Sequence, residues 1–289
     1  MHLRRWLGSL DRGGPRPALR AALACAVGLV ATGVVALLVP VARAGDAGTL
    51  RGFVALNRPR LTPLADLVAH SVDALPYAVA GLVLVSVALA RRRPWMALVI
   101  AVAMPASVLT CELLKPLLSD IRHIQWFGGS SVGEASWPSG HAAGAMCLAL
   151  CAVLVSPRRL RPFAVAAGSA LAVGVSFSIL MLVWHFPSDV LGGFLVAALW
   201  VALGIAALRA LDDGRRQQVS IRQPEPLGSL LAPLVPAAVA AGGLAAAALL
   251  HPEAVTSFAT EHKPFVLGAF IIAAMAWALA SGLAVALRR

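Results

Sequence analysis

The chain of 289 residues is 60% hydrophobic and only 13% charged, with a mean hydropathy of +0.83. A soluble domain carries about 25% charge, and a disordered chain is poor in apolar residues and rich in charge, so both classes are excluded. The apolar residues fall into eight charge-free blocks, at 21–42, 74–90, 94–111, 139–156, 162–184, 190–208, 226–250 and 264–287. Each is long enough to cross about 30 Å of hydrocarbon as a helix. The predicted fold is an all-α polytopic membrane protein of about eight spans. A basic, cytoplasmic N-terminus (1–20) precedes a six-span core (21–208), a cytoplasmic linker (209–228) and a C-terminal two-span hairpin (229–289).

A net charge of +11 would suit a nucleic-acid binder, so the placement of the basic residues has to decide. Arg4, Arg5, Arg12, Arg16 and Arg20 precede the first span, Arg91 to Arg93 follow the second, and Arg158, Arg159 and Arg161 follow the fourth. Arg209, Arg215, Arg216 and Arg222 follow the sixth, and Arg288 and Arg289 end the chain, so most of the 24 basic residues lie on one side. The positive-inside rule then makes both termini cytoplasmic and turns the loops after spans one, three, five and seven outward. Topology and anionic headgroups account for the charge, and no nucleic-acid partner is needed. The expected site of residence is the inner or plasma membrane, the expected partner is a membrane lipid, and the oligomeric state is not encoded legibly.

The N-terminus imitates a signal peptide, but its apolar run of about twenty residues exceeds a signal core and predicts an uncleaved anchor. The outward segment 50–71 has apolar residues at mixed helical spacing, which predicts an interfacial helix. His70 and Asp73, at re-entry into the second span, read as headgroup-level anchors. Cys25, Cys111, Cys147 and Cys151 all lie in apolar blocks and imply helix contacts rather than disulfides.

Ionisable residues beside membrane spans are expensive, so their positions carry functional meaning. Three groups stand out, all on the outward side of a topology derived without them. Lys115 and Arg122 close the third span, Pro138-Ser139-Gly140-His141 opens the fourth, and His185 and Asp189 lie between the fifth and sixth. Ser-Gly-His at a helix start offers free N–H groups and the positive end of a helix dipole to an anion, with a hydroxyl and an imidazole beside them. If the turn is helical, Asp189 can accept the Nδ1–H of His185 and leave Nε2 as a nucleophile. Lys115 and Arg122 would stabilise phosphoryl oxygens. Glu112, three residues before Lys115, can pair with the ammonium. Lys115 and Lys263 are the only lysines in an arginine-rich chain.

In these residues the six-span region resembles the type 2 phosphatidic-acid phosphatase family of integral membrane lipid phosphatases. Lys115 and Arg122 match the first family motif, residues 138 to 141 the second, and Ser178, His185 and Asp189 the third. The resemblance implies that His185 attacks phosphorus to form a phosphohistidine, that Asp189 orients it, and that His141 protonates the leaving group. It further implies that Lys115, Arg122, Ser139 and the Gly140 amide hold the phosphoryl oxygens, with no metal and no cofactor.

Two positions depart from the family pattern: His123 stands in place of a proline, and Ile179 in place of an arginine. Losing one preorganised phosphate donor commonly costs about 10²–10³ in rate. Three consequences are open: His123 or another cation substitutes, the substrate differs, or the protein binds lipid phosphate without turning it over. The expected function is hydrolysis of a polyprenyl diphosphate or phosphatidate-type lipid at the outer face. The alternatives are a phosphotransferase using the same site and a non-catalytic lipid-phosphate binding or transport protein.

Overall fold

The computed structural model describes residues 14–119, 124–127, 129–212, 249–250 and 252–287. Ten helices and one short hairpin follow in order: α1 (Arg16–Leu38), α2 (Pro40–Ala55), α3 (Thr62–His70), α4 (Ala74–Ala90), α5 (Pro94–Leu118), β1 (Gln125–Phe127), β2 (Ser130–Val132), α6 (Gly140–Val155), α7 (Arg161–Met181), α8 (Pro187–Asp212), α9 (Pro252–Glu261) and α10 (Lys263–Ala286). Proline punctuates them. α1, α2, α3, α5, α7 and α10 carry proline in their first turn, where its missing N–H costs nothing. Pro40 stops α1 short of the 21–42 block, because the residue before a proline is driven out of the helical region, and Val39 is extended at ψ 111°.

The expected eight spans are not found. Among the described residues five helices are long and apolar enough to cross a membrane, namely α1, α5, α7, α8 and α10. The count becomes six if α3 and α4, which meet at a bend of 52°, form one broken span. α6, read from the sequence as the fourth span, has 16 residues, almost all of them buried, and is shorter than those five helices. It begins after Pro138 and ends at Ser156, where Pro157 blocks continuation. The 226–250 block, read as the seventh span, falls almost wholly outside the described residues.

α6 is the axis of the molecule. α5, α7, α8 and α10 pack round it, and α1 packs along α8. Lipid tails are as apolar as leucine, so association inside a bilayer depends on close packing, which small residues permit. A Cβ on Gly168 of α7 would lie 2.8 Å from Ala149 Cβ, and one on Gly193 of α8 would lie 2.5 Å from the Ser139 carbonyl oxygen. Both positions therefore fix how tightly α6 is gripped. Cys147 and Cys151 are fully buried on α6, and all four cysteines are free thiols.

The predicted interfacial helix over 50–71 is divided between the end of α2 and α3. Asn57 Nδ2 donates to the Met181 carbonyl, and Phe53 packs against Phe177 and Phe265 at 5.0 and 4.8 Å between ring centroids. α10 is held at both ends: Thr49 of α2 donates to the Pro264 carbonyl, and Arg161 and Arg209 donate to the Leu287 and Ala286 carbonyls. Cations at a helix C-terminus satisfy orphan carbonyls and the negative end of its dipole. The last helix of the expected C-terminal hairpin thus packs into the bundle.

Candidate active site

The ends of α5, α7 and β2 and the starts of α4, α6 and α8 meet at one end of the bundle. α7 closes with paired bonds from Val183 N–H to the Leu180 carbonyl and from Trp184 N–H to the Ile179 carbonyl, with Val183 in the left-handed region at φ 62°. This is the Schellman arrangement, usually completed by glycine; a β-branched residue there is strained. The turn it makes delivers Trp184 and His185 directly into α8.

His185 is buried, and its Nδ1 lies 3.0 Å from the Ser136 carbonyl oxygen and 3.5 Å from Asp189 Oδ2. The expected Asp189–His185 hydrogen bond is therefore the longer of the two contacts. His185 precedes the first helical turn, so the four-residue spacing does not stack the two side chains on one helix face. Asp189, third in α8, folds back so that Oδ2 accepts the Phe186 N–H at 2.9 Å, one half of a capping box. A carbonyl oxygen can only accept, so Nδ1 carries the proton and Nε2 keeps its lone pair. Hairpin β1–β2 sets that carbonyl in place, through Phe127 against Phe186 at 6.0 Å and a fully buried Val132.

Ser139 is fully buried and caps α6: its Oγ accepts the Ala142 N–H at 3.2 Å. Its own N–H donates to the Asp189 carbonyl at 2.9 Å, tying the start of α6 to the start of α8. Among the described residues no protein acceptor takes the N–H of Gly140 or His141. These two donors, at the positive end of α6, are suited to anionic oxygens. Pro138 is buried beside them, after a cis Trp137–Pro138 peptide.

Glu112 Oε1 would lie 2.9 Å from a Cβ on Gly140, so glycine is what lets the carboxylate approach. The same oxygen accepts from Lys115 Nζ at 2.6 Å. This pair brings the α5 lysine to the start of α6. Ser178 is buried in the last turn of α7, and Ile179 beside it is fully enclosed in the main apolar core. Arg122 and His123 lie outside the described residues.

His141 completes the group. Its ring centroid is 6.4 Å from that of His185 and 5.3 Å from that of Trp184, whose other neighbour is His70, also at 5.3 Å. His141 Nε2 lies 3.2 Å from Asp73 Oδ1. The headgroup-anchor reading of Asp73 is therefore incomplete, since the residue reaches the second motif from a separate helix. Sequence reasoning also missed Asp46 of α2, which accepts from both the N–H and the Oγ of Ser188 at the start of α8. The available signal was scarcity: only 13 acidic residues occur in the chain, and two of those in outward loops contact the site's helix starts. Among the described residues no three His, Cys, Asp or Glu side chains are grouped to hold a metal ion.

No curated protein sequence matches the chain. Among solved structures it is similar to the first transmembrane PAP2 type phosphatidylglycerolphosphate phosphatase from Bacillus subtilis, at 20% identity and a TM-score of 0.52. That match covers 68% of this chain and 98% of the Bacillus chain, so the folds agree. Residues 77–212 match the PAP2 superfamily, a span that takes in Lys115, residues 138 to 141, His185 and Asp189. A multi-pass membrane bundle that gathers these motifs at one end thus carries the PAP2 superfamily pattern over residues 77–212.

Proposed function

We propose that the chain is a lipid phosphate phosphatase that releases phosphate from a phosphatidate-type or polyprenyl diphosphate lipid through a phosphohistidine on His185. The observation that carries this reading is the Ser136 carbonyl on Nδ1, which leaves Nε2 of a buried imidazole unprotonated and opposite a second histidine. Nε2 forms a bond to phosphorus while the bond to the leaving oxygen breaks and His141 gives that oxygen a proton. Water then attacks the phosphohistidine, gives its proton to His141, and phosphate departs as the N–P bond breaks. The two α6 amides and Lys115 face the negative charge that builds on the phosphoryl oxygens. Residues 138 to 141, Lys115 and Arg122 make up the phosphate cradle in this reading, with the site outward under the positive-inside rule.

An apolar tail has a place to lie. A cavity of about 610 Å³ between α1, α2, α8 and α10 is lined by Val35, Leu191, Leu267 and Ile271 and reaches Pro187 and Ser188 at the start of α8. The test is phosphate release by purified protein in detergent with EDTA, from a diphosphate lipid, a phosphatidate and phosphatidylglycerolphosphate, the lipid after which the Bacillus enzyme is named. Wild-type turnover lost in His185→Ala, with an acid-labile phosphoryl adduct on wild type alone, is the expected result. Turnover that survives in His185→Ala would overturn it.

A further inference from the structure

Asp73 lies four residues before the segment that matches the superfamily, yet it touches the second motif. It is the N-cap residue of α4, a position where aspartate ordinarily accepts a backbone N–H of its own helix. Here it makes no side-chain cap bond. Its carboxylate is turned instead onto Nε2 of His141, 68 residues away in sequence, at 3.2 Å. The pair adds little to stability, since the Asp73 and His141 side chains are 42% and 31% exposed and such ion pairs contribute about 0–1 kcal/mol. A favoured cap has been given up for a contact that barely stabilises the fold.

The charges around His141 explain what that contact does. Burial opposes a positive charge on His141 most strongly, His185 and Lys115 oppose it further, and Asp73 favours it. Glu112 is bound to Lys115, and His70 stands beyond Trp184 with its Nδ1 donating to the Asp66 carbonyl. The Trp184 ring packed against His141 limits its rotation. We propose that Asp73 is the positioning residue for His141: it holds Nε2–H and the ring's positive charge, so that Nδ1 gives the proton to the leaving oxygen. This rests on the phosphatase reading above and extends it to a residue outside the family's motifs.

The test compares wild type, Asp73→Asn and Asp73→Glu on a phosphatidate and on p-nitrophenyl phosphate, whose phenolate leaves without a proton. The ratio kcat/KM reports the step in which the leaving group departs. For Asp73→Asn it is expected to fall about 100-fold on phosphatidate, the low end of general-acid effects. The loss should lie in kcat rather than KM, stay within about threefold on p-nitrophenyl phosphate, and be partly restored in Asp73→Glu. The high-pH limb of the phosphatidate profile should move to lower pH, with the low-pH limb in place. Equal losses on both substrates, or an unmoved high-pH limb, would overturn the proposal. A measurement independent of turnover follows the His141 ring signal by NMR in detergent, identified by its loss in His141→Ala. Its titration should move to lower pH in Asp73→Asn, and an unchanged titration overturns the proposal whether or not lipid is hydrolysed. Turnover that survives His185→Ala would instead reject the phosphatase reading.

Discussion

His185 and His141 face each other at one end of the bundle and are held by opposite kinds of acceptor. His185 is buried, and its Nδ1 meets an uncharged backbone carbonyl. His141 is partly open to water, and its Nε2 meets a carboxylate. A carbonyl fixes a tautomer without adding charge, whereas a carboxylate stabilises the protonated ring. In the proposed mechanism identical side chains take attack and protonation from their surroundings, as pairs of titratable groups with diverging environments commonly do.

The strongest way to break this contrast is to remove the attacking ring. His185→Ala should lower kcat by at least about a thousandfold on every substrate, because without a nucleophile the leaving group's quality no longer matters. Phosphate release from phosphatidate and from p-nitrophenyl phosphate measures it. His141→Ala sharpens the contrast by separating the two substrates. A loss of about 10²–10⁴ is expected on phosphatidate and a much smaller one on p-nitrophenyl phosphate, in kcat/KM. In wild type the same division predicts a bell-shaped profile bounded by two ionisations, with activity lost at high pH as His141 loses its proton.

A charge outside the two rings comes next. Lys115→Met should cost about 10²–10³ in kcat/KM on both substrates alike, since phosphoryl oxygens are common to them. A loss confined to one substrate would place the lysine elsewhere. The smallest expected effect is on the frame. A Cβ on Gly193 would lie 2.5 Å from the Ser139 carbonyl oxygen and 2.9 Å from Ala143 N, neither of which is a flexible side-chain end. Gly193→Ala should therefore destabilise by about 1–3 kcal/mol, read from thermal unfolding in detergent.

Much of the site is legible from the chain because three short motifs each sit at the end of a helix. Their shared face follows from arginine placement, and Pro-Ser-Gly-His marks a helix start by proline, cap and glycine alone. Trp137 shows where such reading stops. Nothing in the sequence marks it as a clamp, yet its ring would meet a Cβ on Gly33 of α1 at 2.9 Å and one on Gly192 of α8 at 3.1 Å. Asp46 and Asp73 are comparable cases, acids whose partners lie 142 and 68 residues away. Ile179 differs again, because its full burial in the apolar core is set by the α7 turn around it.

By itself the sequence determined that this protein is a membrane bundle with a histidine-bearing end, since hydropathy, charge placement and helix caps are local properties. Only the tertiary structure decided that α6 is the enclosed axis of the bundle, and which acceptor each histidine meets. Those outcomes depend on contacts between helices far apart in the chain. A helix's own composition reports how apolar it is, and not whether lipid or protein surrounds it.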